Sequence, residues 1–441
     1  MKKVFVLTWA VVTATVMLCA QNDNTFQNWT LEKCIDYALS NNTDVMQSIV
    51  SKSSAEQDLK KSKAAFAPTV NANTNQNYSY QNMLGPGNKS VYSASYGISV
   101  GLPLFTGGRL TYTKRQSEIL LQSSQEGLLN TEKLLKSDVL EAYLNVLYNN
   151  ETVKTNEKIF ELSNAEYERS KIMYEVGKIT KSDLAQVASQ WSQNKFNLSK
   201  SRNSLRTAIL SLKQLLELGI EVDFSVAIPQ ITDEEILTPL PEMLEIYNTA
   251  MNLMPSIKVA ELNIQSAEMS KKIAQAGWMP SVSMSAGISG SYNTGAASTL
   301  GEQFKSSLGP TAGISVNIPI YDQRSAKTAV NKAKLNIETS KINYQKAEKA
   351  IAKEVESLYV DALNAQENYV NATEKLGFTQ DSYDLVSEQY NVGMKNTVEL
   401  LTAEKNLFQA QQEVVQCRYQ AIISIQLLNI LQDKEIKVGS N

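Results

Sequence analysis

The sequence predicts an α+β membrane protein built by internal tandem duplication, with long helical hairpins and short strands that one chain cannot close by itself. Three observations carry this. The run Tyr390-Asn391-Val392-Gly393-Met394-Lys395-Asn396-Thr397-Val398-Glu399-Leu400 repeats the pattern of Tyr174-Glu175-Val176-Gly177-Lys178-Ile179-Thr180-Lys181-Ser182-Asp183-Leu184. All ten prolines lie between 68 and 103 or between 229 and 319, which leaves two very long stretches without one. Before each of those stretches, apolar residues alternate with small polar ones over about ten positions, the period of a barrel strand.

From the N-terminus, Lys2 and Lys3, an apolar run from Val4 to Leu18 and Cys19-Ala20 before Gln21 read as an export signal, residues 1–20. Two processing routes are open: cleavage after Ala20, or a lipid anchor on Cys19. Two cysteines would remain, Cys34 and Cys417. They could pair in an oxidising compartment, or serve as small core residues.

The duplication sets the next boundaries: a first helix–strand–strand–helix repeat over 21–218, a linker over 219–240, and a second repeat with a short tail over 241–441. Ala38 matches Ala250 and Pro68 matches Pro280, 212 residues apart in each case. Pro103 with Pro319, Tyr143 with Tyr359, and Gly177 with Gly393 are 216 apart. The four added residues are expected in the Gly/Ser/Asn-rich stretch around 290–309. From Arg109 to Val176 the only glycine is Gly127, and from Ala326 to Val392 it is Gly377. Such runs predict helices of about 60–65 residues, ~95 Å at 1.5 Å per residue. Pairs such as Leu134/Leu135, Val139/Leu140 and Tyr143/Leu144 give them a broad packing face. The return helix, 181–218, and the helix over 43–66 are expected to stack end-on alongside the long one.

Each hairpin turn has its own chemistry. A glycine directly after a helical run ends it in the left-handed conformation. Thr180 or Asn396, with an acid three residues on, restarts the next helix as a capping box.

The strands are read at 70–80, 92–102, 282–288 and 308–318. Tyr92, Ala94, Tyr96, Ile98, Val100 and Leu102 alternate with Ser, Gly and Ser residues that carry no charge. Tyr78, Tyr80, Tyr92 and Tyr292 cluster near strand ends, as an interfacial girdle would. Four strands cannot close, and an open edge cannot sit in lipid. Two chains would give eight strands and three would give twelve; three is preferred, because the helices must also surround a passage.

Composition excludes other classes. The chain has 441 residues, a net charge of -3 and no histidine, so it lacks the commonest general base and metal ligand. No phosphate-binding Gly-rich loop follows a strand. Neither an enzyme, a metal site, a cofactor nor nucleic-acid binding is expected. Charged neighbours such as Glu168 and Lys171 read as a solvated helix face.

The export signal, the duplicated plan and the paired Tyr-x-Val-Gly hairpins together resemble the TolC family of outer-membrane efflux proteins. Pro103-Leu-Phe-Thr-Gly-Gly-Arg109 is similar to the family's strand-to-long-helix junction, with Pro319-Ile-Tyr-Asp-Gln-Arg324 as a diverged second copy. The resemblance implies a homotrimer in the cell outer membrane, a twelve-stranded β-barrel continuous with a long periplasmic α-helical barrel. It implies a passive duct serving a tripartite efflux or type I secretion system. The partners would be outer-membrane lipid, a periplasmic adaptor and an inner-membrane RND or ABC transporter. Val176, Gly177, Lys178, Val392, Gly393 and Met394 fall on the family's adaptor-contacting tips. Its gate, an acid on one hairpin against a Tyr and a basic residue on the other, falls on Asp183, Tyr390 and Lys395. Lys395 stands where the family has Arg and lacks the planar fork that grips a carboxylate at two points. Glu399 matches one position of the inner acidic ring, and Thr402 stands where the best-known member has Asp. The alternative is a periplasmic helical scaffold or binding protein that never enters lipid.

Overall fold

The structure is a computed structural model that describes residues 28–81, 89–294, 298–436 and 438–439. The expected export signal and Cys19 lie outside the described residues. In the first half, β1 (Asn28–Trp29), α1 (Leu31–Asn41) and α2 (Thr43–Ala64) lead to β2 (Thr69–Gln81) and β3 (Lys89–Phe105). Then follow α3 (Arg109–Glu175) and α4 (Lys181–Leu215). A connector carrying β4 (Ser225–Val226) and α5 (Asp233–Ile236) precedes α6 (Met243–Leu253), α7 (Pro255–Gln275) and β5 (Ser281–Asn293). The chain closes with α8 (Leu300–Ser307), β6 (Gly309–Asn317), α9 (Ser325–Asn391) and α10 (Thr397–Leu431).

The two long helices have 67 residues each, and their return helices 35 each. At 1.5 Å per residue a 67-residue helix is roughly 100 Å long. Neither helix contains a proline, and the single interior glycine of each, Gly127 or Gly377, is tolerated, so each runs on to its terminal glycine. The end-on stacking is present in the first half. Asn42 Nδ2 donates to Leu215 O at 3.4 Å, and Thr43 Oγ1 donates to Glu217 Oε1 at 2.9 Å. Asn42 also accepts the Asp44 N–H at 2.9 Å, which breaks α1 from α2. Met254, 212 residues later, separates α6 from α7, where Pro255 occupies the first turn. The two halves differ in one respect that matters below. α7 packs against both α3 and α9, whereas the long helix that α2 chiefly packs against, among the described residues, is α3.

The sheet has the order β2-β3-β5-β6, antiparallel throughout. Cross-strand partners share a face, so the rows Ala72–Ile98–Ile288 and Val70–Val100–Ala286 define an apolar side. Asn73–Gly97–Ser289 and Asn71–Ser99–Gly287 define the opposite, uncharged polar side. Tyr78 lies opposite Tyr92, whose ring is 6.3 Å from that of Tyr292, at the end of the sheet far from the long helices. The register slips between Pro103 and Phe105, where proline has no N–H to give the ladder. One strand boundary moves: Leu308, expected in the last strand, instead caps α8. Residues 300–307 of that stretch therefore form a helix, not a plain loop.

The largest core sits at mid-length of the helices. Leu140, Leu144 and Leu147 of α3 are at most 1% exposed, and each contributes roughly 1.5–3 kcal/mol by burial. Trp29 packs its ring 5.1 Å from Tyr37 and 5.5 Å from Phe224. Cys34 and Ile246, 212 residues apart, are both fully buried. Cys34 and Cys417 are not bonded, and burial pushes the Cys34 thiol up to about 12.

The connector crosses both long helices. Tyr143 Oη donates to Ala227 O at 2.8 Å, Gln366 Nε2 donates to Ile236 O at 2.8 Å, and Tyr369 Oη donates to Asp233 Oδ1 at 2.6 Å. Arg418 Nη2 reaches Tyr369 Oη at 3.3 Å. Tyr369→Phe removes the phenol that joins a carboxylate to a guanidinium, so a loss of about 1–3 kcal/mol is expected. A lowered melting temperature checks it; an unchanged one would mean that the connector is held by packing alone.

Candidate functional site

The site is the pair of turns where the hairpins reverse. Gly177 has φ +75° and Gly393 φ +81°, the left-handed region. Around each, the closing bonds run from Lys178 N–H to Met173 O at 2.8 Å and from Met394 N–H to Gln389 O at 2.9 Å. Those are the six-to-one bonds of a Schellman ending. A Cβ at either glycine would meet nothing within 4 Å. The glycine is thus demanded by the backbone conformation, not by crowding. Val176, Val392 and Met394 are 64%, 71% and 76% exposed, and Lys178 is exposed as well. The tips present bare apolar side chains at the far end of a 67-residue helix.

The restarting helices carry both expected capping boxes. Thr180 Oγ1 accepts the Asp183 N–H at 3.2 Å, and Asp183 Oδ2 accepts the Thr180 N–H at 3.0 Å. Asn396 Oδ1 accepts the Glu399 N–H at 2.9 Å, and Glu399 Oε2 accepts the Asn396 N–H at 3.1 Å. Hydrogen bonds from Thr180, with a smaller one from Thr397, hold the Asp183 carboxyl below its usual range. The Lys395 ammonium and the Asn396 N–H do the same for Glu399.

The Thr397 side chain of the second hairpin lies near enough to Asp183 of the first to help lower its pKa. Lys395 does not reach across: it pairs with Glu399 of its own hairpin, Nζ to Oε1 at 2.5 Å. Lys395 sits just before the N-cap Asn396, beside the first turn that carries Glu399, and that carboxylate takes the ammonium first. Tyr390 is half-buried, and the exposed Thr402 turns its hydroxyl back onto Val398 O at 2.7 Å.

One residue near the tip was not singled out from the sequence. Glu404 is 2% exposed, with Oε1 unpartnered. The signal was present, since Glu404 follows Thr397 by seven and Leu400 by four, on the buried stripe of α10. Among the described residues no helix is long and apolar enough to cross a membrane.

Roughly 100-Å hairpins joined to an open sheet with one apolar face are the subunit of a transmembrane channel. CusC, whose structures concern transmembrane channel formation, superposes with a TM-score of 0.81 at 19% identity, over 94% of this chain and 96% of that one. The outer membrane protein VceC of Vibrio cholerae superposes at 0.76 with 14% identity, over 91% and 96%. In sequence, the toluene efflux pump outer membrane protein TtgC of Pseudomonas putida is 25% identical, over 90% of this chain and 82% of its own length. The outer membrane protein TolC of Escherichia coli is 24% identical, over 87% and 78%. The chain belongs to the outer membrane efflux protein family, whose sequence model matches residues 34–217 and 246–431. It is an outer-membrane efflux channel protein of the TolC-like kind, with a long periplasmic helical part.

Proposed function

We propose that three copies close a twelve-stranded barrel and a helical tunnel, and that the hairpin tips gate this duct. The observation that carries the reading is the set of flanks left without a neighbour. Among the described residues, β2 and β6 each have one unpaired edge, which lipid does not tolerate. α2 exposes Met46, Ile49 and Val50, while α9 exposes Leu335 and Ile342. Within the chain, α7 lies between α3 and α9. The equivalent place for α2 is between its own α3 and the α9 of a second copy. The equal lengths of the helices in the two halves are what tandem duplication requires.

The duct has no catalytic role and hydrolyses no nucleotide; an inner-membrane pump supplies the energy. A periplasmic adaptor docks on Val176, Gly177, Lys178, Val392, Gly393 and Met394. Asp183, Tyr390, Lys395, Glu399 and Thr402 line the closed entrance, and the Asp183–Thr397 contact is its part within one chain.

Asp183→Ala combined with Tyr390→Phe is therefore expected to raise single-channel conductance in planar bilayers. Hydrogen bonds to a charged group contribute about 1.5–3 kcal/mol, a shift of roughly tenfold or more between closed and open. Unchanged conductance removes these residues from the gate. A monomer extracted without detergent, in place of a heat-stable trimer, overturns the channel reading itself.

A further inference from the structure

β5 runs from Ser281 to Asn293, yet β6 pairs only with Ser281–Ser289. On that edge the last four residues of β5 have no strand beside them, and α8 lies there instead. Ser307 Oγ accepts the Ser291 N–H at 2.9 Å and donates to Ser291 O at 2.9 Å. Gln303 Oε1 accepts the Asn293 N–H at 2.8 Å, and its Nε2 donates to Asn293 O at 3.1 Å. Each side chain takes both the donor and the acceptor of one residue, as a ladder partner would. Four residues of helix rise about 6 Å, close to the roughly 6.8 Å between alternate strand residues. The two spacings fit, so the helix completes the ladder that β6 leaves short.

An adjacent stripe of α8 carries Leu300, Phe304 and Leu308, which are 61%, 42% and 45% exposed. Phe304 and Leu308 lie over Gly290, where a Cβ would be 3.6 Å from each. Gly290 is in the row of Thr74 and Tyr96, on the apolar side of the sheet. Between helix and sheet runs a groove whose apolar lining includes Ala72, Ile98, Ile288 and Phe304. No charged residue lines it.

We propose that α8 is an interfacial helix at the outer rim of the barrel, and that its groove holds an acyl chain of the surrounding outer-membrane lipid. Gln303 and Ser307 keep the backbone of β5 satisfied beside that chain, as hydrocarbon requires. The occupant is a lipid tail because the groove continues the apolar side of the sheet and offers nothing that would bind a headgroup. The exposed Lys305 and Glu302 stand at the polar margin, the arrangement of a helix lying in a membrane interface. The inference rests on the barrel reading above.

The test uses the full mature protein in phosphatidylethanolamine–phosphatidylglycerol vesicles, in a Cys417→Ala background that leaves Cys34 buried. Phe304→Cys, Lys305→Cys and Ile314→Cys are each labelled with a nitroxide. Power saturation then compares collision with dissolved oxygen, which prefers lipid, against a nickel chelate, which stays in water. Positions 304 and 314 are expected to favour oxygen, with the preference inverted at 305. If 314 favours oxygen and 304 favours nickel, the α8 proposal is overturned and the barrel stands. If both favour nickel, the barrel reading fails, and this inference with it. Oxygen preference at 305 as well would mean an immersed helix, which also overturns the interfacial placement.

Discussion

Gly107→Ala is expected to lose roughly 2–5 kcal/mol, combining left-handed strain with overpacking. Gly107 has φ +64°, and a Cβ there would lie 2.4 Å from Met279 Cβ and 3.0 Å from Ala276 O. Backbone and a Cβ fixed directly to it cannot swing aside as the tip of a flexible side chain can. The residue joins β3 to α3 and packs against the α7–β5 junction of the second half, so a shift there moves the sheet and the long helices together. Heat-stable oligomer on gels and abundance in the outer membrane are both expected to fall sharply. Gly108→Ala is the control. Its φ is +83°, but the nearest atom is Tyr112 Cε2 at 3.0 Å, on a ring that can rotate, so about 1–2 kcal/mol is expected. Equal losses at the two positions would exclude crowding as the cause. The second half makes the same turn without glycine: Gln323 has φ 53° and Arg324 φ 66°. Asp322 Oδ2 secures it by accepting the Ala326 N–H at 2.6 Å, where Thr106 Oγ1 accepts the Leu110 N–H at 3.4 Å in the first half.

Glu404 yields the second large effect, and its direction follows from burial. Loss of solvent, and then the Glu166 carboxylate, push its pKa up from 4.5 to about 7. Glu166 faces it from α3 and lies 3.9 Å from Arg169; Tyr383 faces it from α9. Burial first, then Glu404 and Glu166, push the Tyr383 phenol up to about 12. Because the folded state holds the proton more tightly, ionisation works against folding. Below pH 4.5 the group is protonated in both states and costs nothing. The cost grows between pH 4.5 and 7 and is complete above that, at about 3 kcal/mol. Glu404→Gln is therefore expected to match the parent near pH 4.5 and to melt at a higher temperature at pH 8. Melting curves whose separation does not change with pH would refute this.

Helix lengths, turns and capping boxes were legible because they rest on local chemistry. A left-handed residue needs glycine, and a helix start needs an oxygen three residues from an acid. Gly177, Thr180 and Asp183 announce a hairpin with no knowledge of the rest of the chain. α8 was not legible, because Leu300-Gly-Glu-Gln-Phe-Lys-Ser-Ser307 is a poor helix in isolation. It is held by the edge of β5, a partner that only the tertiary structure supplies. At the tip, the sequence located Lys395 but not its choice of partner. Within one chain the neighbouring Glu399 competes with any group across the gap, and proximity along the chain decides. Glu404 was legible in principle; a periodicity count on α10 places it among Leu400, Leu407 and Phe408, where a carboxylate stands out.

The matched 67- and 35-residue arms also bear on how the periplasmic mouth is finished. In an assembly of three copies, the six points would stand level, like the teeth of a crown. A ring-shaped partner pressed onto that crown would seat on every tooth at once. Cutting seven residues from each arm of one hairpin would sink three alternate teeth by about 10 Å, and the same partner would then rock on the remaining three.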